Sequence, residues 1–292
     1  MIKLKLYFRD LLKNDIQKIL DISKDIWEGD DYIRFIINEW LNDQNNLNYG
    51  AFTDSTMNNL IGFGRVKIFD ENLAWLEGGR VKSSYQKQGI GRELMGYAIN
   101  YAKNIGIKVV QYDTSSRNEG SVALAKFYGF QKKKSMELLG CKYNDIKKDD
   151  LRSTEMKKVS INQAKRIYHY LEIGPGDEIC IGWSYIPINY LTNQNSAWYK
   201  NYDAIIQVIA PHGRAFQEAP ENDELWLIVY GESKASLKLV QNVILEERFN
   251  NNLEYHIFCN PSLVPKLIDI GFSYWEDQRL QVVLFEKIID DK

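Results

Sequence analysis

The stretch "VKSSYQKQGIGRELMGYA", Val81–Ala98, decides the reading of this chain. Gly89 and Gly91 are ringed by Gln86, Lys87, Gln88 and Arg92, and they stand where an apolar helical period begins around Ile90. Glycine lets a backbone turn sharply and approach a ligand closely, and the first N–H groups of a helix have no partner within it. With the helix dipole behind them those groups form an anion site. Lys87 and Arg92 add side-chain cations, although Lys87 suits a solvated surface equally well. Such a loop is built to receive a pyrophosphate. It is neither a P-loop nor a dinucleotide fingerprint, since both require glycine spacings that are missing here.

The surrounding chain is that of an ordinary globular protein. Its 292 residues are about twice the usual domain length, which predicts two domains, 1–148 and 149–292. A formal charge of −2 gives no reason to expect nucleic acid or an anionic membrane as partner. Cys141, Cys180 and Cys259 are odd in number and lack CxxC spacing, so they read as reduced core thiols and no metal site is expected. No 18 apolar residues stand together, and a cytoplasmic location is the simplest expectation.

Period and punctuation predict a strand over 2–8, helices over 13–27 and 31–41, and a meander of "NYGAFTD", "NLIGFGRVKIF" and "NLAWLEGGRVK". After the quoted loop, Leu94, Ala98, Ala102 and Ile105 continue the helix, "KVVQY" is a buried-type strand, and "EGSVALAKFYGF" is a helix entering a strand. The order is β-α-α-β-β-β-α-β-α-β.

In that order, Gln86-x-x-Gly89-x-Gly91 resembles the acetyl-coenzyme A loop of the GNAT superfamily of N-acetyltransferases. "NEGSVALAKFYGF" extends the resemblance, with Asn118, Ser121, Leu124, Gly129 and Phe130 at matching positions. The resemblance implies an α/β (α+β) fold with a mixed, centrally splayed sheet flanked by helices. It implies that backbone near Gly79 and Val81 meets the pantetheine and the thioester, and that Gln86, Lys87, Gln88, Gly89, Ile90, Gly91 and Arg92 surround the pyrophosphate. Asn118 and Ser121 would complete the coenzyme site. Acetyl-CoA would be the co-substrate, attacked directly by a primary amine in a ternary complex.

An amine must lose a proton before it attacks a thioester, so a general base is expected on the fourth strand, where Glu77 stands; Asp113 and Glu119 are weaker candidates. The family position that often carries a Tyr acid holds Ala125, and Tyr128, three residues on, is read as packing beside Phe127 and Phe130. The acceptor is expected near "IWEGDDYIRF", where Trp27, Glu28, Asp30, Asp31 and Tyr32 offer acidic and aromatic groups to an ammonium. Asp30 and Asp31 serve equally as helix caps. The acceptor would be a small amine, with an amino acid as one option. A coenzyme-binding sensor without turnover and a protein N-acetyltransferase remain the alternatives.

The second half repeats the first in outline. "NDELWLIVYGES" parallels "DENLAWLEGG", and Asn260, Gly271 and Phe272 fall 142 residues after Asn118, Gly129 and Phe130. A diverged, GNAT-like second domain follows, with helix 236–249, strand 253–260, a short helix broken by Pro265 and a last strand 280–288. It lacks the coenzyme loop, because Gly231-Glu232-Ser233-Lys234 runs almost directly into its helix and Glu232 would repel phosphate. Its expected roles are structural, including homodimer formation. The three His residues read as structural, and 144–158 as an exposed connection.

Overall fold

The structure is a computed structural model and describes residues 4–29, 31–171, 176–192, 196–209, 224–246 and 253–289; the side chains of Trp27, Glu28 and Asp150 are not described. The chain divides into two compact units, one of residues 1–112, 120–131 and 285–292, the other of 113–119 and 132–284.

The first unit carries β1 (Tyr7–Asp10), α1 (Ile16–Ser23), α2 (Ile33–Asn42), β2 (Leu47–Phe52), β3 (Leu60–Ile68), β4 (Leu73–Val81), α3 (Ile90–Asn104), most of β5 (Val109–Ser115) and nearly all of α4 (Glu119–Tyr128). Strands β1 to β4 pair antiparallel in sequence order, while β4 and β5 pair parallel. The period-3.6 spacing of Ile19, Ile22, Ile33, Ile37 and Trp40 lets α1 and α2 bury one face each against Phe52, Leu60 and Phe63. Each such side chain contributes roughly 1.5–3 kcal/mol on burial. Two boundaries differ from expectation. The first strand begins at Tyr7, and the helix expected over 13–27 is continuous only from Ile16 to Ser23, flanked by 3₁₀ turns at Lys13–Asp15 and Ile26–Gly29. Asp15 explains the first turn, because its carboxylate takes a 2.9 Å hydrogen bond from the Leu12 N–H and two from the Arg9 guanidinium.

The second unit holds β6 (Gln131–Lys142), β7 (Lys157–Val159), α5 (Ile161–Tyr170), β8 (Glu178–Cys180), β9 (Tyr185–Pro187), β10 (Ser196–Lys200), β11 (Ala204–Ile209), β12 (Glu224–Gly231), α6 (Ser233–Glu246), β13 (Glu254–Cys259), α7 (Val264–Asp269), β14 (Ser273–Tyr274) and the first half of β15 (Gln281–Ile288). Its sheet runs β6-β13-β12-β11-β10-β7, with β12 and β13 parallel and the other pairs antiparallel. Leu225, Leu227, Val229, Tyr255 and Ile257 all point to the face that buries Leu239, Val240 and Val243 of α6. All three cysteines are buried and free.

Both halves therefore repeat strand, helix, parallel strand, helix, and the fold is a tandem, mixed α/β arrangement. Each unit is nevertheless finished by a strand from the other half of the sequence. In the first unit the neighbour of β5 is the end of β15, with Phe285 stacked at 5.5 Å on Tyr112; in the second, β6 pairs with β13. Pro265 sits in the first turn of α7, where its missing N–H is harmless, so it opens the helix rather than breaking it. Helix α6 begins at Ser233, three residues earlier than expected, and 247–252 lie outside the described residues. The connection over 144–158 is not uniformly exposed: Ile146 is buried, and Lys157 and Lys158 belong to β7.

Candidate active site

The site begins with an irregularity in β4. Phe63 of β3 faces Arg80 and Arg65 faces Glu77, so the single residue Gly64 stands opposite two, Gly78 and Gly79. This is a bulge, and Gly78 makes it feasible with φ +66°; a Cβ there would fall 2.4 Å from the Trp40 ring. At Gly79 a Cβ would meet nothing within 4 Å, so this side of the strand is open. The parallel partner also ends early. Leu73, Ala74 and Trp75 pair with Val109, Val110 and Gln111, after which β4 continues to Val81 with no further partner from β5.

Downstream of β4 the chain makes a short 3₁₀ turn at Ser83–Tyr85 and enters the loop. Two of its residues are left-handed, Lys87 at φ +59° and Gly89 at φ +86°. Gln86 and Gln88 donate their side-chain amides to the Val81 and Ser84 carbonyls at 3.2 and 3.0 Å, so both glutamines brace the loop itself. Gly89 is the N-cap of α3 and has no side chain to close it, and the first intrahelical bond runs from the Glu93 N–H to Gly89 at 3.1 Å. The N–H groups of Ile90, Gly91 and Arg92 precede that bond and have no acceptor within the helix. Residues 86–89 are exposed, whereas Ile90 and Leu94 are buried and hold the helix over Gly62. Arg92 lies 4.9 Å over the Phe127 ring, and its carbonyl accepts the Tyr128 hydroxyl at 2.7 Å. Ser121 lies in α4, its carbonyl accepting the Tyr112 hydroxyl at 2.8 Å, and Asn118 lies just before that helix in an exposed position.

The matching helix of the second unit is closed by its own acid. The Glu232 carboxylate takes hydrogen bonds from the Lys234 and Ala235 N–H groups at 2.7 and 2.9 Å, and these bonds hold its pKa below the ordinary range. Helix α6 thus carries on its chain the anion that α3 does not.

Glu77 stands immediately before the bulge, half-buried, 3.4 Å from the Arg65 guanidinium. Burial pushes its pKa above the ordinary carboxylate range, and Asp43 adds to the rise, while Arg65 and Lys67 oppose it. Asp113 and Glu119 have other settings. The Asp113 carboxylate accepts both the Ser184 hydroxyl and the Tyr185 N–H at 2.7 Å, and Glu119 is exposed at the start of α4.

Of the residues expected around the acceptor, Asp30 lies outside the described residues, and Trp27 and Glu28 belong to the 3₁₀ turn Ile26–Gly29. Asp31 is 2% exposed, and its two oxygens take the Arg80 guanidinium at 2.8 and 3.0 Å. It also accepts the Ile33 N–H at 3.3 Å, the capping role open to it from sequence. Arg80 passes 5.5 Å from the Tyr32 ring, which lies edge-on to Trp40 at 6.4 Å. Sequence reading missed Arg65 and Arg80. Each is visible as a lone arginine inside a strand, but its carboxylate partners are set by the packing of α2 on the sheet, which brings Asp31 and Asp43, and by the register that brings Glu77. Ala125 is 1% exposed, and the Tyr128 ring nests on Gly96, where a Cβ would come within 2.5 Å of its hydroxyl.

Among the described residues no three His, Cys, Asp or Glu side chains converge as a metal site, and no helix is long and apolar enough to cross a membrane. His256 is buried on β13 and His169 lies on α5, while His212 falls outside the described residues.

Comparison with known proteins matches residues 13–130 to the acetyltransferase (GNAT) family. No curated protein sequence matches the chain. Solved structures with the same fold include a GCN5-related N-acetyltransferase from Kribbella flavida, 11% identical with TM-score 0.57 over 99% of this chain and 72% of that one. A tandem GNAT protein from the clavulanic acid biosynthesis pathway is 10% identical with TM-score 0.58, covering 99% of this chain and all of its own. A glucosamine N-acetyltransferase region of a fungal multi-domain β-N-acetylglucosaminidase is 11% identical with TM-score 0.63, over 97% of this chain and 38% of that one.

Proposed function

From the match of residues 13–130 to the acetyltransferase (GNAT) family, we propose that this chain transfers acetyl from acetyl-CoA to the primary amine of a small molecule. The observation that carries this reading is the exposed, left-handed turn at Lys87–Gly89, which opens α3 with three N–H groups directed out of the helix. The residues fit the co-substrate. The amides of Gln88 to Arg92 would take its pyrophosphate, Lys87 and Arg92 would add charge, and the β4 backbone from Gly79 to Val81, beyond the last pairing with β5, would bond the pantetheine and face the thioester oxygen. Gln86 would brace this loop, and Ser121 of α4, with Asn118 just before that helix, would complete the coenzyme site.

Glu77 would take the proton of the attacking amine, directly or through water, and the rise in its pKa on burial makes the carboxylate a stronger base. The segment from Trp27 to Tyr32 would receive the acceptor. Within it Asp31 holds Arg80, and the Tyr32 ring, which already meets the Arg80 cation, would offer the same face to an ammonium; Trp27 and Asp30 are further acceptor residues on the sequence pattern alone. The division at 148/149 is proposed as the boundary of the sequence duplication, with the second half structural and homodimer formation one of its roles.

A second reading draws on Ala125, which supplies no proton to a leaving thiolate: a coenzyme-binding sensor without turnover. Calorimetry with CoA, followed by thiol release against a panel of free amino acids, polyamines, aminoglycosides and peptide N-termini, separates these readings. Release with a small amine is the expected result. Binding without release gives the sensor, release with peptides alone gives a protein acetyltransferase, and absence of binding overturns both.

A further inference from the structure

Arg65 is a cation placed almost out of water, 6% exposed, in the middle of β3. Its Nη2 lies 2.9 Å from Asp43 and its Nη1 3.4 Å from Glu77, and its guanidinium lies 4.9 Å from the Trp40 ring centre. Asp43 is itself fixed just past α2. Its carboxylate accepts the Asn45 N–H at 3.2 Å and the Asn46 side-chain amide, and Asn46 in turn accepts the Ile68 N–H of β3 at 2.6 Å. Trp40 is fixed from the other side by the bulge, where only glycine fits at position 78. The guanidinium therefore has its plane set by Trp40, one end set by Asp43 and the other turned to Glu77. A packing role alone would not require an arginine between two acids.

We propose that Arg65 is a positioning residue: anchored on Asp43 and roofed by Trp40, it fixes the Glu77 carboxylate beside the bulge of β4 in the orientation that faces the incoming amine. This rests on the reading of Glu77 as the base. The charges facing Glu77 are Arg65 and Lys67 of β3 and Asp43 beyond α2. Arg65 favours the ionised carboxylate and Asp43 disfavours it, so removing each moves Glu77 in opposite directions. Loss of the guanidinium raises the pH at which Glu77 ionises. Loss of the Asp43 charge lowers it, because the repulsion disappears and Arg65 is left with Glu77 as its one charged partner in the trio.

The experiment follows Glu77 in the full chain by NMR of side-chain carboxyls after labelling glutamate with ¹³C; Glu77→Gln identifies its resonance. Acceptor-dependent thiol release is measured across pH in parallel. The expected result is a midpoint displaced upward by about one pH unit or more in Arg65→Met and downward in Asp43→Asn, from an opposite charge at contact distance. The acidic limb of kcat should follow both displacements with the KM for acetyl-CoA unchanged, and Arg65→Lys should recover most of the shift. Midpoints that stay in place, or that move in the same direction in both variants, overturn the proposal. Should Arg65→Met fail to fold, Arg65→Lys and Asp43→Asn decide it by the same signs. If Glu77→Gln removes the acidic limb while the Arg65 variants leave the midpoint unmoved, the positioning role falls and the base survives. If Glu77→Gln leaves rate and limb untouched, both fall.

Discussion

Gly89→Ala tests the diphosphate site without adding a steric clash. At this position φ is +86°, and a Cβ would meet nothing within 4 Å, so the substitution acts through the backbone alone. An L-residue pays about 1–2 kcal/mol for the left-handed conformation. If the loop keeps its shape, that cost appears as lost stability. If the loop relaxes instead, coenzyme must restore the strained turn on binding, and affinity for CoA falls by roughly 5–30-fold, at about 1.4 kcal/mol per factor of ten. Gly91→Ala is the matched control. Its backbone is helical, a Cβ would lie 3.7 Å from Leu124 in ordinary contact, and alanine is preferred to glycine inside a helix by about 0.5–1 kcal/mol. That variant should bind CoA as the parent does and melt a few degrees higher, at roughly 2–4 °C per kcal/mol. Calorimetry with CoA and thermal melting of the unliganded chain supply both numbers. A Gly89→Ala protein with parental affinity and parental melting temperature would show that neither the left-handed turn nor the amides it displays are used, and the coenzyme site would have to lie elsewhere.

Three further outcomes are expected. Glu77→Gln should lower acceptor-dependent thiol release by about 10²–10⁴-fold with CoA affinity intact. In the parent chain the rate should fall as pH drops through a midpoint above the ordinary carboxylate range, since the raised pKa keeps Glu77 protonated, and so inactive as a base, to higher pH; a pH-independent rate would remove it from the mechanism. Tyr128→Phe loses the hydroxyl that donates to the Arg92 carbonyl, which should cost about 0.5–1.5 kcal/mol in a denaturant melt while turnover is kept; loss of turnover in a folded variant would make Tyr128 the acid. Deleting 285–292 removes buried Phe285 and Ile289, about 3–6 kcal/mol of apolar burial, and strips β5 of its neighbour. CoA binding should be lost and proteolysis of the first unit accelerated, whereas a truncated chain that binds CoA normally would show that β15 is dispensable to it.

The sequence by itself determined the parts that local chemistry controls. Gly89 and Gly91 before an apolar 3.6-residue period can be read directly, because left-handed torsions and unpartnered N–H groups are properties of a few consecutive residues. The same locality made the β-α-α-β-β-β-α-β-α-β order legible, and it set Glu232 apart as an acid where the first half has glycine. Tertiary structure decided what depends on register. Glu77 meets Arg65 because the hairpin register that pairs Ile68 with Ala74 runs unbroken as far as Arg65 and Glu77, just short of the bulge at Gly78, and a one-residue slip would turn that carboxylate to the other face. Asp31 and Arg80, 49 positions apart, meet because α2 packs on the sheet, which sets the residues flanking that helix, Asp31 and Asp43, against Arg80 and Arg65. The exchange of β6 and β15 is the furthest from local control. Both carry an apolar stretch and follow a short helix and a Gly-Phe pair, so either could complete either sheet by that pattern, and the choice is made by backbone hydrogen bonds to strands more than a hundred residues away.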